Sequence, residues 1–516
     1  MSGQEIELKL KVDPADFSKL RDAPLPGQVP EQQPVKTLES TYFDTPDVRL
    51  HALGWSLRVR KSGRNLVQTL KSPGTATGGV VARGEWECPV STPHPDLAAL
   101  PDQSVLAELG PLDPAELKPL FTTKVKRTIR IAKPSDGTEI EIALDQGEVV
   151  TPEGRTLPLN EAELEMKSGD PASIYDLALA LNEAAPLRVE LQSKAERGYA
   201  LALDERPSWF KAGRLDLSPD QTAEEVLQIV VRHCMHHMVS NEAVALAGEQ
   251  PEGIHQMRVA LRRLRSALAL FEPLIPAEQY EHLVGEVRWL ATAFGAARDW
   301  DVFLSDLLAP VEAAFPGDRE MAALAEAART CREQGYRGAR EAILSRRYTA
   351  LLLKVGAWVD GRGWRNQPVS EKSARLLEPI TALSGELLGK RHKQSRKRGK
   401  GFAKLGSEQR HRVRISLKKL RYASEFFRSL YDQKAVRRYT DELAALQETL
   451  GHLQDVATVD KLVGTIREEL GADAPAGWEA GAGLVRGWHA RGLHDLEPRL
   501  IRDWEAFTST RPFWVE

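Results

Sequence analysis

Glu5, Glu7 and Lys9 stand at alternate positions of the run Glu5–Val12, with Ile6, Leu8 and Leu10 between them. A strand's period of two puts both carboxylates and the ammonium on one face. The grouping returns at Glu163, Glu165 and Lys167, and Glu139 and Glu141 form a third acidic row that Asp145 can extend. Basic rows alternate with these: Arg58 with Arg60, then Lys71, then Lys124, Lys126 and Arg130, with Arg127 on the opposite parity. One charged stripe is an ordinary solvated sheet face. Six strands turned inward together are not, because carboxylates beside arginines and lysines are costly to enclose without a ligand. A polyanion with a divalent metal answers both halves of the problem. Carboxylates take a hard cation through oxygen, and arginine and lysine take phosphate oxygens.

A second constellation lies further on. His255, Arg258, Arg262 and Arg265 are spaced three, four and three apart, one stripe of a helix with Arg263 at its edge. His411, Arg414, Lys418 and Arg421, edged by Lys419, repeat it 156 positions later. Like charges at this spacing repel, so an anion between them is expected. Asp299 and Asp455 follow at the same offset as candidate braces. Nucleic acid is the rival partner, but no helix-turn-helix, zinc-finger or ribonucleoprotein signature accompanies the stripes, and stacking aromatics are sparse. His233, His236 and His237 share a helix without carboxylates at ligand spacing, which reads as packing. Seven Lys and Arg residues between Lys390 and Lys400 read as a solvated loop able to reach over a polyanion.

These residues need two kinds of scaffold. Up to about Leu203, period-two alternation in Glu5–Val12, Trp55–Lys61, Glu85–Val90, Lys124–Ile131, Glu139–Leu144 and Glu161–Lys167 predicts strands, with short helices at Pro14–Arg21 and Ser173–Ala184. An α+β domain built on an antiparallel sheet or barrel follows. After Pro207 the period becomes helical almost to Glu516. The 156-residue offset also pairs Glu286 with Glu442, Leu290 with Leu446 and Gly295 with Gly451, which predicts two tandem helical bundles related by a pseudo-twofold. The boundaries expected are 1–203 for the sheet domain, 204–217 for a linker and 218–510 for the helical domain, with repeats near 218–365 and 371–510.

The chain has 516 residues with a formal net charge of −3. Residues 1–206 carry 24 basic and 32 acidic side chains and the remainder 46 and 41, so the helical part holds the positive excess. Three scattered cysteines exclude a disulfide framework and a zinc site. No apolar run approaches the roughly 18 residues that span a bilayer. A cytoplasmic protein without membrane partners is expected; oligomeric state is not legible.

The strand EIELK, YFDT at Tyr42–Thr45, the arginine pair of LRVR, ELEMKSGD at Glu163–Asp170 and SKAERGY at Ser193–Tyr199 resemble the CYTH domain of triphosphate tunnel metalloenzymes. The resemblance implies an eight-stranded antiparallel tunnel barrel that binds triphosphates with Mg²⁺ or Mn²⁺. It assigns Glu5, Glu7, Glu163 and Glu165, with Asp145, to the metal side. Lys9, Arg58, Arg60, Lys71, Lys124 and Lys194 fall to the phosphates, with Arg127 or Arg130 contributing. Parity favours Arg130 and the family's placement favours Arg127. Glu5, Glu7, Lys9 and Lys71 are the expected catalytic set.

HQMRVALRRLRSAL, HRVRISLKKLRYASEFF and ARDWDVF resemble the two halves of the conserved-histidine α-helical (CHAD) domain, which implies inorganic polyphosphate binding and an association with polyphosphate granules. The second half departs where ARDWD becomes LQDVA, which breaks symmetric roles for the acidic turn. Together they imply a metal-dependent inorganic triphosphatase, cleaving tripolyphosphate to pyrophosphate and phosphate, joined to a polyphosphate-binding module. The alternatives are a non-catalytic polyphosphate-binding or granule protein, and a phosphohydrolase for thiamine triphosphate or ATP.

Overall fold

The computed structural model describes residues 6–27, 34–73, 75–77, 80–82, 84–110, 112–134 and 136–515. The chain divides into two compact units, Met1–Ser208 with Leu344–Gly363 and Trp209–Ile343 with Trp364–Glu516.

In the first unit, strands β1 (Ile6–Val12), β2 (Lys36–Asp44), β3 (Ser56–Ser62), β4 (Asn65–Lys71), β5 (Thr75–Thr77), β6 (Val80–Ala82), β7 (Glu85–Pro89), β8 (Lys118–Ala132), β9 (Glu139–Val150), β10 (Thr156–Ser168) and β11 (Leu187–Val189) form one sheet. Its order is β5-β6-β1-β10-β9-β8-β2-β3-β4-β7, with β11 beside β1, and every ladder is antiparallel. The α+β class holds. The strand count does not: eleven strands are described instead of eight, because three short ones, β5, β6 and β11, are added to eight of five residues or more. No ladder joins the two ends of the sheet among the described residues. The sheet curls instead around a cavity lined from β1, β2, β3, β4, β7, β8, β9 and β10.

The helices used below are α1 (Ala172–Ala184), α2 (Lys194–Leu203), α3 (Ala223–Val239), α4 (Pro251–Phe271), α5 (Ala277–Ala293), α6 (Arg346–Asp360), α7 (Ile380–Arg398), α8 (Ser407–Phe427), α9 (Gln433–Leu470) and α10 (Trp478–Ser509). Leu8, Leu10, Ile140, Ile142 and Leu164, at even positions of their strands, are fully buried on the outer face of the sheet. Helix α1 buries Ile174, Leu177, Ala178 and Leu181.

Against α1 packs α6, a segment within the sequence range of the first helical repeat that belongs to the first unit. Tyr175 donates to Asp360 over 2.5 Å, Asn182 donates to the Arg346 carbonyl over 3.1 Å and Thr349 donates to the Leu187 carbonyl. Tyr348, Leu351, Leu352, Leu353, Val355 and Val359 of α6 are all buried. Gly356 makes the close approach possible, since a Cβ there would lie 2.4 Å from the Tyr175 ring. Residues 205–217, within the expected linker, form no helix or strand, but Leu215 and Leu217 are buried.

In the second unit the repeat is visible in the elements themselves. Helices α4 and α8 are both 21 residues long and begin 156 positions apart, and α5 and α9 begin at the same offset. Helix α3 packs on α4, as α7 packs on α8. The basic run at Lys390–Lys400 is not a loop; it is the last turns of α7, whose buried Leu383, Leu387, Leu388 and Ser395 fix the helix while the cations occupy its other face.

Candidate functional site

Helix α2 begins in a capping box: the Ser193 hydroxyl accepts from the Glu196 amide over 3.1 Å, and the Glu196 carboxylate accepts from the Ser193 amide over 2.6 Å. This puts Lys194 at the first helical position. Gly198 lets the helix settle on β8, because a Cβ there would stand 2.0 Å from Phe121. One turn on, Tyr199 donates to Asp44 at the end of β2 over 2.9 Å.

So held, Lys194 enters a buried ionic lattice. Its ammonium lies 2.8 Å from Asp145 and 2.7 Å from Glu163 and is paired with Glu161. Arg127 grips Asp145 through two nitrogens at 2.7 and 2.6 Å and reaches Glu163 at 2.6 Å; Arg197 pairs with Glu161. Burial opposes every one of these charges, and the partners outweigh it. Lys194, Arg127 and Arg197 are raised, Asp145 is lowered, and Glu163 is held well below the carboxylate range. The oxygens of Asp145, Glu161 and Glu163 lie within 4.8 Å of one another, a spacing that suits a metal ion. Lys194, Arg127 and Arg197 surround these three carboxylates, which form the charged floor of the cavity.

Above the floor the cavity encloses about 570 Å³. On one wall Glu7 of β1 pairs in register with Glu165 of β10, which pairs with Glu141 of β9. Neighbouring strands lie about 4.8 Å apart, so these carboxylates form a lateral row, and all three line the cavity. Lys9 donates to Glu7 over 2.7 Å and sits opposite Glu163 in the ladder; Lys167 pairs with Glu165 at 2.5 Å. The facing wall carries Arg58 and Arg60 of β3 and Lys71 of β4, with Glu85 and Glu87 of β7 beside them. Lys71 lies 2.9 Å from Glu85, and Arg58 lies 3.7 and 3.8 Å from Glu85 and Glu87. Burial works against the Arg58 charge, but Tyr42, Glu85 and Glu87 raise it. Tyr42, buried and stacked on Phe121, is lowered against its burial by Arg58, Arg60 and Lys194. Arg60 has no carboxylate partner among the described residues and donates to Ser40 over 3.1 Å. Burial and the neighbouring Arg58 and Arg127 push it down to about 10.

Most of the sequence-selected residues converge here: Glu7, Lys9, Arg58, Arg60, Lys71, Arg127, Glu163, Glu165 and Lys194 all line the cavity. Asp145 lies beneath it, fully buried. Glu5 falls outside the described residues. Lys124 is exposed on the other face of β8. Arg130 is also turned away, donating to the carbonyls of Leu20 and Ala23 at 3.3 and 2.5 Å. Arg127 therefore faces the cavity. Its apparent odd parity arises because Phe121, Thr123, Val125 and Arg127 form the inner face while Lys124 and Lys126 are the solvated side. Sequence reasoning missed Tyr42, Glu85, Glu87, Glu161 and Arg197. Glu85 and Glu87 carried the same alternate-position signal as the other rows.

In the second unit, the stripe residues of α4 and α8 divide. Arg263 and Arg421 both lie 2.9 Å from Glu425, so the protein supplies them with one shared carboxylate. Arg258 donates to the Ala291 carbonyl over 3.0 Å and Arg262 to the Tyr422 hydroxyl over 3.3 Å. Burial, with Arg262 and Arg298, lowers Arg258 against the pull of Asp299. Burial and then Arg298, Arg262 and Arg258 push His255 down to about 4, which leaves it neutral at pH 7. His411, Arg414, Lys418 and Lys419 are partly exposed on α8, and Arg265 is partly exposed on α4. The side chain of Asp455 is outside the described residues. His237 contacts Gln256 at 3.0 Å and His236 meets the Phe210 ring edge-on, in keeping with packing.

Family models for the CYTH domain and the CHAD domain match residues 3–199 and 229–463. The chain joins a CYTH domain to a CHAD domain. The cavity belongs to the CYTH part and the duplicated stripes to the CHAD part. A crystal structure of the CHAD domain from the plant Ricinus communis is 31% identical with a TM-score of 0.51, covering 59% of this chain and 98% of that one. An inorganic triphosphatase of Haemophilus influenzae is 32% identical over 201 residues, which are 38% of this chain. The match spans 55% of that relative, about half its length. An uncharacterized protein of Mycobacterium tuberculosis is 23% identical over 449 residues, 82% of this CYTH–CHAD chain and 81% of its own. No described helix is long and apolar enough to cross a membrane.

Proposed function

We propose that the CYTH part is a metal-dependent inorganic triphosphatase that cleaves tripolyphosphate to pyrophosphate and phosphate, and that the CHAD part binds inorganic polyphosphate. The observation that carries the first half is Arg60, a largely buried guanidinium without a carboxylate ion pair among the described residues, in a wall facing a row of glutamates across the cavity. Such a wall is stabilised by an anion bearing several charged oxygens. Arg58, Arg60, Lys71 and Arg127 would hold phosphate oxygens, and Lys9, bridging toward the glutamate row, would orient the chain. The inorganic triphosphatase among the relatives supports this choice of substrate.

Glu7, Glu165 and Glu141 offer oxygens of the kind Mg²⁺ or Mn²⁺ takes, on adjacent strands and facing the cavity, with Lys9 beside Glu7 and Lys167 beside Glu165. They fit a divalent cation, and Glu5, outside the described residues, is proposed to join them on the sequence pattern alone. A cation held there would supply Lewis-acid charge to phosphoryl oxygens. The chain's own part is to align the phosphates along the basic wall, neutralise charge that develops on the transferred group and exclude bulk water. The lattice of Lys194, Arg127, Asp145, Glu161 and Glu163 keeps that wall in place.

For the CHAD part, Arg258, Arg262, Arg414 and Lys418, with Arg265 and Lys419, present a repeated cationic surface suited to a long phosphate chain, and His255 and His411 stand beside them as ring-nitrogen hydrogen-bonding partners. Arg263 and Arg421 enter it only if the chain displaces Glu425.

Phosphate release from tripolyphosphate, with and without Mg²⁺, tests the first half. Glu7→Gln is expected to abolish Mg²⁺-dependent release while the sheet remains folded by circular dichroism. Undiminished turnover would reject the proposal. Thiamine triphosphate and ATP as competitors decide among triphosphates.

A further inference from the structure

Besides the acidic turn, the repeat of the CHAD part differs at another place that bears on charge. On one side Arg263 and Arg421 share the carboxylate of Glu425. The offset of 156 turns these residues into Lys419, Arg265 and Ala269, so the partner side keeps both cations and loses the acid. Where that acid would stand, Ala269 lines a cleft of about 670 Å³, together with Lys390, Arg391, Lys393, Lys397 and Arg398 of α7 and with Glu272. Five cations face one carboxylate. No ion pair involves Arg265, Lys390, Arg391, Lys393, Lys397, Arg398 or Lys419 among the described residues. Arg391 instead donates to the Ala269 carbonyl.

The cations are close enough to disturb one another. Burial, then Arg391, Arg265 and Arg398, lowers Lys419 against Glu272; burial also lowers Arg391, with Glu272 and Tyr280 pulling the other way and Arg398 adding to the fall. Solvation alone would favour spreading these side chains apart, since like charges at helical spacing repel. The cleft collects them instead. Its lining mixes the forked donors of Arg391 and Arg398 with three exposed ammonium groups, a set that suits an anion with many charged oxygens.

We infer that this cleft between the C-terminal end of α4 and the last turns of α7 is a discrete anion site, separate from the histidine-bearing stripes, that takes a compact polyphosphoryl group. The group comes from a short inorganic phosphate chain or from the polyphosphate of a nucleotide. On the duplicated side Glu425 occupies the equivalent position from within. The inference does not depend on long-chain binding by the stripes.

Equilibrium dialysis of the full-length protein, in excess EDTA to prevent hydrolysis, measures it with tripolyphosphate and with ATP as separate probes. Ala269→Glu restores the acid found on the other side, and Lys390→Gln/Lys393→Gln/Lys397→Gln removes exposed charge without touching packing. Each variant is expected to bind one fewer tripolyphosphate per chain than the unaltered protein. Loss with both probes assigns the site to either source, and loss with tripolyphosphate alone assigns it to inorganic chains. Neutralising Arg258, Arg262, Arg414 and Lys418 should leave this site intact, which separates its fate from that of the stripes. If the lysine variant, folded by circular dichroism, binds as many tripolyphosphates as the unaltered protein, the inference is wrong.

Discussion

Tyr199 donates its hydroxyl to the buried carboxylate of Asp44 over 2.9 Å, and the same carboxylate accepts the amides of Thr45, Leu50 and His51 at 2.7, 2.9 and 3.0 Å. Asp44 thereby ties the turn after β2 to the helix that carries Lys194. Tyr199→Phe removes a single donor and leaves the three amides in place. Its expected cost is about 1–3 kcal/mol of stability, as for a buried hydrogen bond to a charged group. Urea denaturation of the two proteins checks this, and an unchanged midpoint would show the bond to be idle.

Gly198 gives a sharper handle on the same helix. A methyl at this position collides with Phe121, and the helix must shift away from β8. Overpacking of this kind costs about 1–3 kcal/mol, and displacing Lys194 by even about 1 Å can lower turnover on the order of 100-fold. Gly198→Ala should therefore lose far more phosphate release than stability.

The ionic floor sets an acid limit. Asp145 and Glu163 are held below the ordinary carboxylate range, so their contribution is complete above that range and is lost as pH falls through their depressed folded values. Lys194, raised, contributes fully below the ordinary lysine range and is lost only in strong alkali. Replacing Lys194 with Met leaves three buried carboxylates with two cations. Breaking a buried pair costs about 3–5 kcal/mol, and the acid unfolding transition should move to higher pH. Circular dichroism across an acid titration reads it.

Histidines act in the opposite direction in the CHAD part. His233, His237 and His255 are pushed down from 6.5 to about 4, chiefly by burial. An unfolded chain takes up protons first as pH falls through 6.5, so the folded state loses stability between 6.5 and about 4. Calorimetric melting of the full chain is expected to show a lower-melting CHAD transition at pH 5.0 than at pH 7.5, with a smaller difference in a variant carrying Gln at the three positions. Equal melting at both pH values would refute it.

Two substitutions serve as opposites on one strand. Arg127→Ala should abolish tripolyphosphate cleavage, because Arg127 lines the cavity and braces Asp145 and Glu163. Lys124→Ala, on the solvated face, should leave KM and turnover unchanged. Steady-state kinetics of the pair checks the inward face of β8.

Much of this was legible because charge alternation survives in the sequence: Glu7, Lys9, Glu163, Glu165, Arg58 and Arg60 each announce an inward face by parity alone. Parity failed on β8, where both faces carry cations and only the neighbouring strands decide which is enclosed. Glu161 and Arg197 were passed over because they pair across distant elements, the middle of β10 and the first turn of α2. The duplicated helices were legible from a constant offset. The helical state of Lys390–Lys400 was not, since its fixing residues are a sparse apolar set, Leu383, Leu387 and Leu388, upstream of the charges.

Helix α6 bears on how the protein is made. The core that Tyr175 and Gly356 complete requires a segment that leaves the ribosome well over a hundred residues after Ser208. At roughly 5–20 residues per second, a nascent sheet waits several seconds with one apolar flank unclosed. During that interval it depends on chaperones or on its own charged interior to stay out of aggregates, and splitting the gene after the sheet would make the wait permanent.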